Sequence, residues 1–146
     1  LRIHEITRLN RSDAEKAIRN NVLTIKGKGG LVRHIPLRNV TREILKEAMS
    51  NVQRGEKLFV SKDEKTHAVI QRTKDFIRNH RDKVYDPTNG RPEGINITMH
   101  GFRHAYAKEE YERFLNSGLS ENDARYQTSL LSGHSREDVT RIYLGE

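Results

Sequence analysis

The chain has 146 residues, 34% hydrophobic and 32% charged, with no cysteine. That length allows one domain with a real core, and the composition excludes disulfides and thiolate metal sites; no run approaches the roughly 20 apolar residues of a membrane span. Lys+Arg of 27 against Asp+Glu of 20 gives +7 and a pI near 9.8, a balance that favours a polyanionic partner because each phosphate neutralised releases counterions.

In chain order, Leu1–Leu9 (LRIHEITRL) is helical in pattern, with Ile3, Ile6 and Leu9 spaced for a buried side. No N-cap precedes it, so the expectation is a fragment that begins inside an element. Arg2 and Glu5 stand at i,i+3, where their side chains can meet. Such a pair is either a surface contact worth under about 1 kcal/mol or an arginine held so that its fork can grip an oxyanion. Ser12 and Glu15 have the spacing of a capping box for a second helix.

Two β-rich runs, 22–26 and 31–37, flank Gly27-Lys28-Gly29-Gly30, which predicts an antiparallel hairpin with Lys28 at its tip. GKGG lacks the spacing of a Walker phosphate loop. Thr41 is a candidate cap for a helix with an Ile44, Leu45, Ala48, Val52 stripe, ended by Gly55. Leu58-Phe59-Val60 reads as a third short strand, and Ser61 with Glu64 as the cap of a helix to about Arg81, buried through Val69, Phe76 and Ile77. Residues 82–97 carry Asp-Pro, Asn-Gly and Arg-Pro breaks and read as a surface excursion.

From Thr98 a helix is expected with Phe102, Ala105, Tyr106 and Phe114 on one face, stopped by Asn116-Ser117-Gly118. Ser120 and Asp123 open the next, carrying Ala124, Leu130 and Leu131, with Gly133 as its C′ residue. Ser135 and Asp138 open a final helix with Val139, Ile142 and Leu144. The fold class is therefore α+β, mostly helical, with a small antiparallel sheet.

His100 and Arg103 lie one turn apart at a helix start, where free N–H groups favour an anion. His100 and His104 have metal-ligand spacing, but Arg103 between them repels a divalent cation, and no metal or other cofactor is expected. His134 beside Ser135 lacks a GxSxG elbow. Two arginines, two histidines, a lysine and Tyr143 suit attack on a phosphodiester. Bidentate arginines and imidazole N–H groups stabilise the charge that grows on nonbridging oxygens, a tyrosine hydroxyl supplies the nucleophile, and a lysine or histidine protonates the leaving oxygen.

These residues and their order resemble the catalytic domain of the tyrosine recombinases, the phage integrase family. LRIHEITRL resembles the first arginine box, with Arg2 and the acidic Glu5; TIKGKGGLVRHIPL the β-hairpin lysine segment, with Lys28; HGFRHAYA the HxLRH box, with His100 and Arg103; LLSGHSREDVTRIYL the ending with His134 and, nine positions on, Tyr143. Two features depart from the family pattern. His134 follows Arg103 by 31 positions, and the family's N-terminal DNA-clamping domain and the tail after the tyrosine are expected to be missing from residues 1–146.

The resemblance implies cleavage to a 3′-phosphotyrosyl intermediate and religation by a 5′-hydroxyl. Arg2, Arg103 and His134 would hold the phosphate, Lys28 act as general acid, His100 assist proton transfer and Tyr143 attack. It also implies double-stranded DNA as partner, a tetramer on DNA for the full-length protein with this piece alone a monomer, and a cytoplasmic, DNA-associated bacterial setting. Type IB topoisomerase-like relaxation shares the chemistry, and a non-catalytic DNA-binding module would share the basic face. In a straight helix His134 and Tyr143 would be separated by roughly 13 Å, so a retracted Tyr143 is expected without DNA.

Overall fold

A computed structural model describes residues 1–84 and 97–133, Lys28 and Val84 by their backbone alone. Helix α1 spans Ile3–Ile6 and α2 Arg11–Asn20; strands β1 (Val22–Lys26) and β2 (Val32–Pro36) follow, then α3 (Asn39–Ser50), α4 (Thr66–Asn79), α5 (Met99–Asn116) and α6 (Glu121–Ser132). The fold is the helix-rich α+β class with a two-stranded antiparallel sheet.

The opening segment is less helical than its pattern. Helix α1 stops after one turn because Thr7 turns its hydroxyl to the His4 carbonyl, 3.3 Å, offering the backbone an alternative to the next helical bond. Leu9 and Arg11 then use their backbones elsewhere: Leu58 N–H donates to Leu9 O at 2.9 Å and Arg11 N–H to Glu56 O at 3.0 Å. These bonds also explain why 58–60 is not a third strand. The segment meets the chain through a single isolated bridge, Asn10 with Lys57, and drops Leu58 and Val60 into the interior.

Helix α2 is capped by Asn10, not Ser12. The Asn10 side chain accepts from Asp13 N–H at 2.9 Å, and Asp13 accepts from Asn10 N–H at 3.1 Å, a reciprocal box. Ser12 instead donates to Asn10 Oδ1 at 2.8 Å. Ala14 and Ala17 are fully buried, and their small side chains let α2 lie close over β1. The core comprises these two alanines with Leu9, Leu23, Ile25, Leu37, Leu45 and Leu58.

Helix α3 begins at Asn39 after an uncapped Arg38, so Thr41 is interior, and it ends at Ser50, ahead of Gly55. Leu45 is buried, whereas Ile44 is 50% exposed. Arg11 closes the C-terminal end of α3 by donating to Met49 O at 3.0 Å, where a cation suits the dipole. Helix α4 starts at Thr66 behind Lys65; Glu64, expected as its cap partner, is ion-paired to Arg72 instead. Val69 is buried as expected, but Phe76 is exposed and stacks on His80 at 4.2 Å. The expected excursion falls mostly, and the final helix wholly, outside the described residues.

The reassigned cap is open to a direct check by urea unfolding. Asn10→Ala should lower stability by about 1 kcal/mol, and Ser12→Ala by less than half as much. The reverse order would return the cap to Ser12.

Candidate active site

The hairpin forms as expected, and its register sets Ile25 opposite Arg33 and Leu23 opposite Ile35. Successive side chains of a strand face opposite ways, so Arg33 shares the inward face with Ile35. Its burial is nearly complete at 5% exposure. Between the strands Lys28–Gly30 form a short 3₁₀ turn, with Gly29 and Gly30 at φ 74° and 80°; the backbone of Lys28 thus sits at the hairpin tip.

Arg33 meets Glu5. The guanidinium Nη2 donates to Glu5 Oε2 at 2.6 Å, and the same oxygen accepts from the Arg2 backbone N–H at 2.6 Å. Arg2 Nη1 stands 3.6 Å from Glu5 Oε1, beyond a good hydrogen bond. The surface ion pair is thus ruled out, since the Glu5 side chain is 4% exposed and its close partner is Arg33, not the Arg2 head group. Burial pushes the Glu5 carboxyl upward, but the Arg2 backbone bond and then the Arg33 bond and charge outweigh it and hold the group below its ordinary range.

Helix α5 opens with Thr98, whose hydroxyl accepts from Gly101 N–H at 3.0 Å. That cap places His100 in the first turn, exposed, and Arg103 one turn on, buried. The inward face of α5 is Arg103, Ala107 and Glu110; the expected face is displaced, with Phe102 48% exposed and Ala105 outward too. The cause is the surface α5 packs against. Helix α6 presents Ala124, Thr128, Ser129 and Ser132, small and mostly polar, while Leu130 points outward at 47% exposure. Charged α5 residues enter because they find partners: Glu110 lies 2.6 Å from Arg38 and 2.5 Å from Arg113.

Arg103 donates through Nη2 to the Ser132 carbonyl, at the negative end of α6. Gly133 then ends the helix in the left-handed region, φ 68° and ψ 41°, as expected. A side chain at 133 would overlap Arg33 Nη1 and lie 3.1 Å from its Cζ. Two arginines, from β2 and α5, therefore close on the turn that precedes His134 in the sequence.

The His100 ring stands edge-on to His104 at 4.9 Å. Its pKa is lowered from 6.5, first by desolvation and then by the charges of His104, Arg103 and Arg2. Arg2 meets Glu5, Glu5 meets Arg33, and Arg33 and Arg103 both border the Ser132–Gly133 turn, which brings Arg2, Glu5 and Arg103 to one locus, with His100 one turn before Arg103 on α5. Beside it a cleft of about 430 Å³ lies between α2 and β1, where Arg8, Lys16 and Lys26 join Glu5 and Asp13. His134 and Tyr143 lie outside the described residues, as does the expectation of a retracted tyrosine. Arg33 escaped the sequence reading, though a signal for it existed: a charged residue in inward register with Ile35 and Leu37.

A partly exposed arginine and a buried one, with an imidazole close to the second along α5, have the chemistry to receive an oxyanion. Residues 1–145 match the phage integrase family, and the chain belongs to it. That membership carries DNA binding and a recombinase function of the tyrosine type in general terms. No curated protein and no solved structure matches the chain. Among the described residues no helix is long and apolar enough to cross a membrane.

Because the folded His100 holds its proton less tightly than the unfolded chain, its contribution to stability is present above pH 6.5 and is lost as pH falls through the folded pKa. An NMR titration of the DNA-free protein should place the His100 midpoint below 6.5, and added inorganic phosphate should raise it. A midpoint at or above 6.5 without phosphate would contradict the assigned field.

Proposed function

We propose that residues 1–146 are the catalytic domain of a site-specific DNA recombinase that cuts and rejoins strands through a covalent tyrosine ester. The observation that carries this reading is the gathering of Arg2 and Arg103 about the Glu5–Arg33 pair, with His100 one turn from Arg103 on α5, within a chain whose sequence keeps the full ordered set of motifs.

In the proposed reaction the scissile phosphate of duplex DNA is gripped by the forks of Arg2 and Arg103, with His134 donating a third hydrogen bond. The Tyr143 hydroxyl attacks phosphorus and the bond to the 5′ oxygen breaks. Lys28 gives that oxygen its proton, and His100 assists proton transfer at the tyrosine. The ester retains the energy of the broken bond, so a 5′-hydroxyl from another strand can reverse the step and free the tyrosine. A depressed His100 pKa suits this role, because a neutral imidazole can accept a proton near neutral pH. Fixed guanidinium groups supply the charge stabilisation that a metal gives other phosphoryl-transfer sites. The basic excess provides the wider attraction for DNA.

Covalent-adduct formation on a nicked duplex tests the assignment. Tyr143→Phe should abolish the adduct and leave DNA binding within about threefold, whereas an adduct formed by the Phe variant would remove Tyr143 as nucleophile. The wild-type rate should be the same with and without EDTA; a rate that collapses in EDTA would contradict metal-free catalysis. Arg103→Ala should slow the adduct by about 10²–10³-fold, the cost of losing a transition-state donor.

A further inference from the structure

We propose that Arg33 is a positioning residue for strand cleavage: by neutralising Glu5 from the buried side, it keeps the Arg2 guanidinium free for the phosphate. This inference rests on the recombinase reading above.

The distances divide the two arginines. Glu5 Oε2 takes both short bonds, 2.6 Å from Arg33 Nη2 and 2.6 Å from the Arg2 backbone N–H. Glu5 Oε1 has no hydrogen-bond partner among the described residues, and the Arg2 head stops 3.6 Å from it. Arg33 and Glu5 side chains are each 4% exposed, whereas that of Arg2 is 35% exposed. The short bonds of the carboxylate therefore go to the buried Arg33 guanidinium and to the Arg2 backbone, while the Arg2 head group, the more exposed of the two, meets it only as an ion pair at 3.6 Å. Without Arg33, a buried and unneutralised Glu5 would draw in the nearest cation. That cation is Arg2, whose Nη1 already stands 3.6 Å from Glu5 Oε1, ~0.6 Å beyond a direct hydrogen bond.

Arg33 also bears on the opposite side of the site. Its Nη1 lies where a Gly133 side chain would be, and Gly27 approaches both Arg33 Nη1 and Glu5 Oε1 to 3.5 Å at its Cβ position. One guanidinium thereby spaces the start of α1, the end of β1 and the end of α6. Arg33 touches no substrate in this account and acts only through the residues it places.

The test uses the full-length protein on a nicked duplex of its own site, at a temperature where circular dichroism shows every variant folded. Single-turnover adduct formation is compared for wild type, Arg33→Gln, Arg33→Lys and the double variant Glu5→Gln/Arg33→Gln. Arg33→Gln should be about 100-fold slow, like the loss of an oxyanion donor. The double variant should return to within about tenfold of wild type, because no orphan carboxylate remains to capture Arg2. Arg33→Lys should fall between them. An Arg33→Gln rate within twofold of wild type would overturn the proposal, as would a double variant no faster than the single one, which would make Arg33 merely structural. Should Arg33→Gln not fold, the double variant decides alone: adduct within about tenfold of wild type supports the proposal, and a 100-fold deficit overturns it. If the wild type itself forms no Tyr143-dependent adduct, the recombinase reading fails and this inference falls with it.

Discussion

A buried ion pair between residues 28 apart in the chain, Glu5 and Arg33, is the contact on which the rest of the site depends. Taking two charges out of water is costly, and breaking such a pair by removing one partner costs about 3–5 kcal/mol. Here the pair ties helix α1 to strand β2. Helix α1 is one turn long and the hairpin has two strands, neither able to stand alone. The carboxylate also fixes the Arg2 backbone, and the guanidinium abuts the last turn of α6. The candidate site thus acquires its geometry from a neutral pair behind it, with the Arg2 head group left partly exposed at its edge.

The described residues divide into two kinds of interior. Around α2, β1 and α3 the core is leucine, isoleucine and alanine, and it stabilises the domain through ordinary apolar burial. Between α5 and α6 the interior is Arg103, Glu110, Thr128, Ser129 and Ser132, with Ala107 and Ala124 as small spacers. Such an interface gains little from hydrophobic transfer, and each polar group must find a partner. Arg103 finds the Ser132 carbonyl and Glu110 finds Arg38 and Arg113. This half of the molecule gives up apolar burial in order to hold charges in place.

Local chemistry was legible where one interaction decides the outcome. The glycine-flanked hairpin, the Thr98 and Ser120 helix starts and the Gly133 stop all follow from residues adjacent in sequence. Where two local signals compete, tertiary contacts chose between them. Asn10 displaced Ser12 as a cap because the backbone is extended at Asn10 itself, φ −111° and ψ 172°, next to the Leu9 carbonyl that accepts from Leu58. Periodicity misplaced Phe102 and Phe76 because it assumes that apolar residues face inward. Around α5 the inward side is decided by ion pairs, and Phe76 satisfies itself on its own helix against His80. Of the candidate site, Arg2, Glu5, His100 and Arg103 could be found from motifs, but the partner of Glu5 could not. Its sign was a charge on the inward face of β2, and only the packing of α1 against the hairpin shows which carboxylate it meets.

The central claim is that this frame serves a covalent attack by one tyrosine with a defined polarity. Isolating the DNA-linked peptide after proteolysis, and sequencing it by mass spectrometry, tests that most directly. The account predicts a single linkage, at Tyr143, to the 3′ phosphate of the cut strand, with a free 5′-hydroxyl on the other side. A linkage at any other residue, or to a 5′ phosphate, would contradict it.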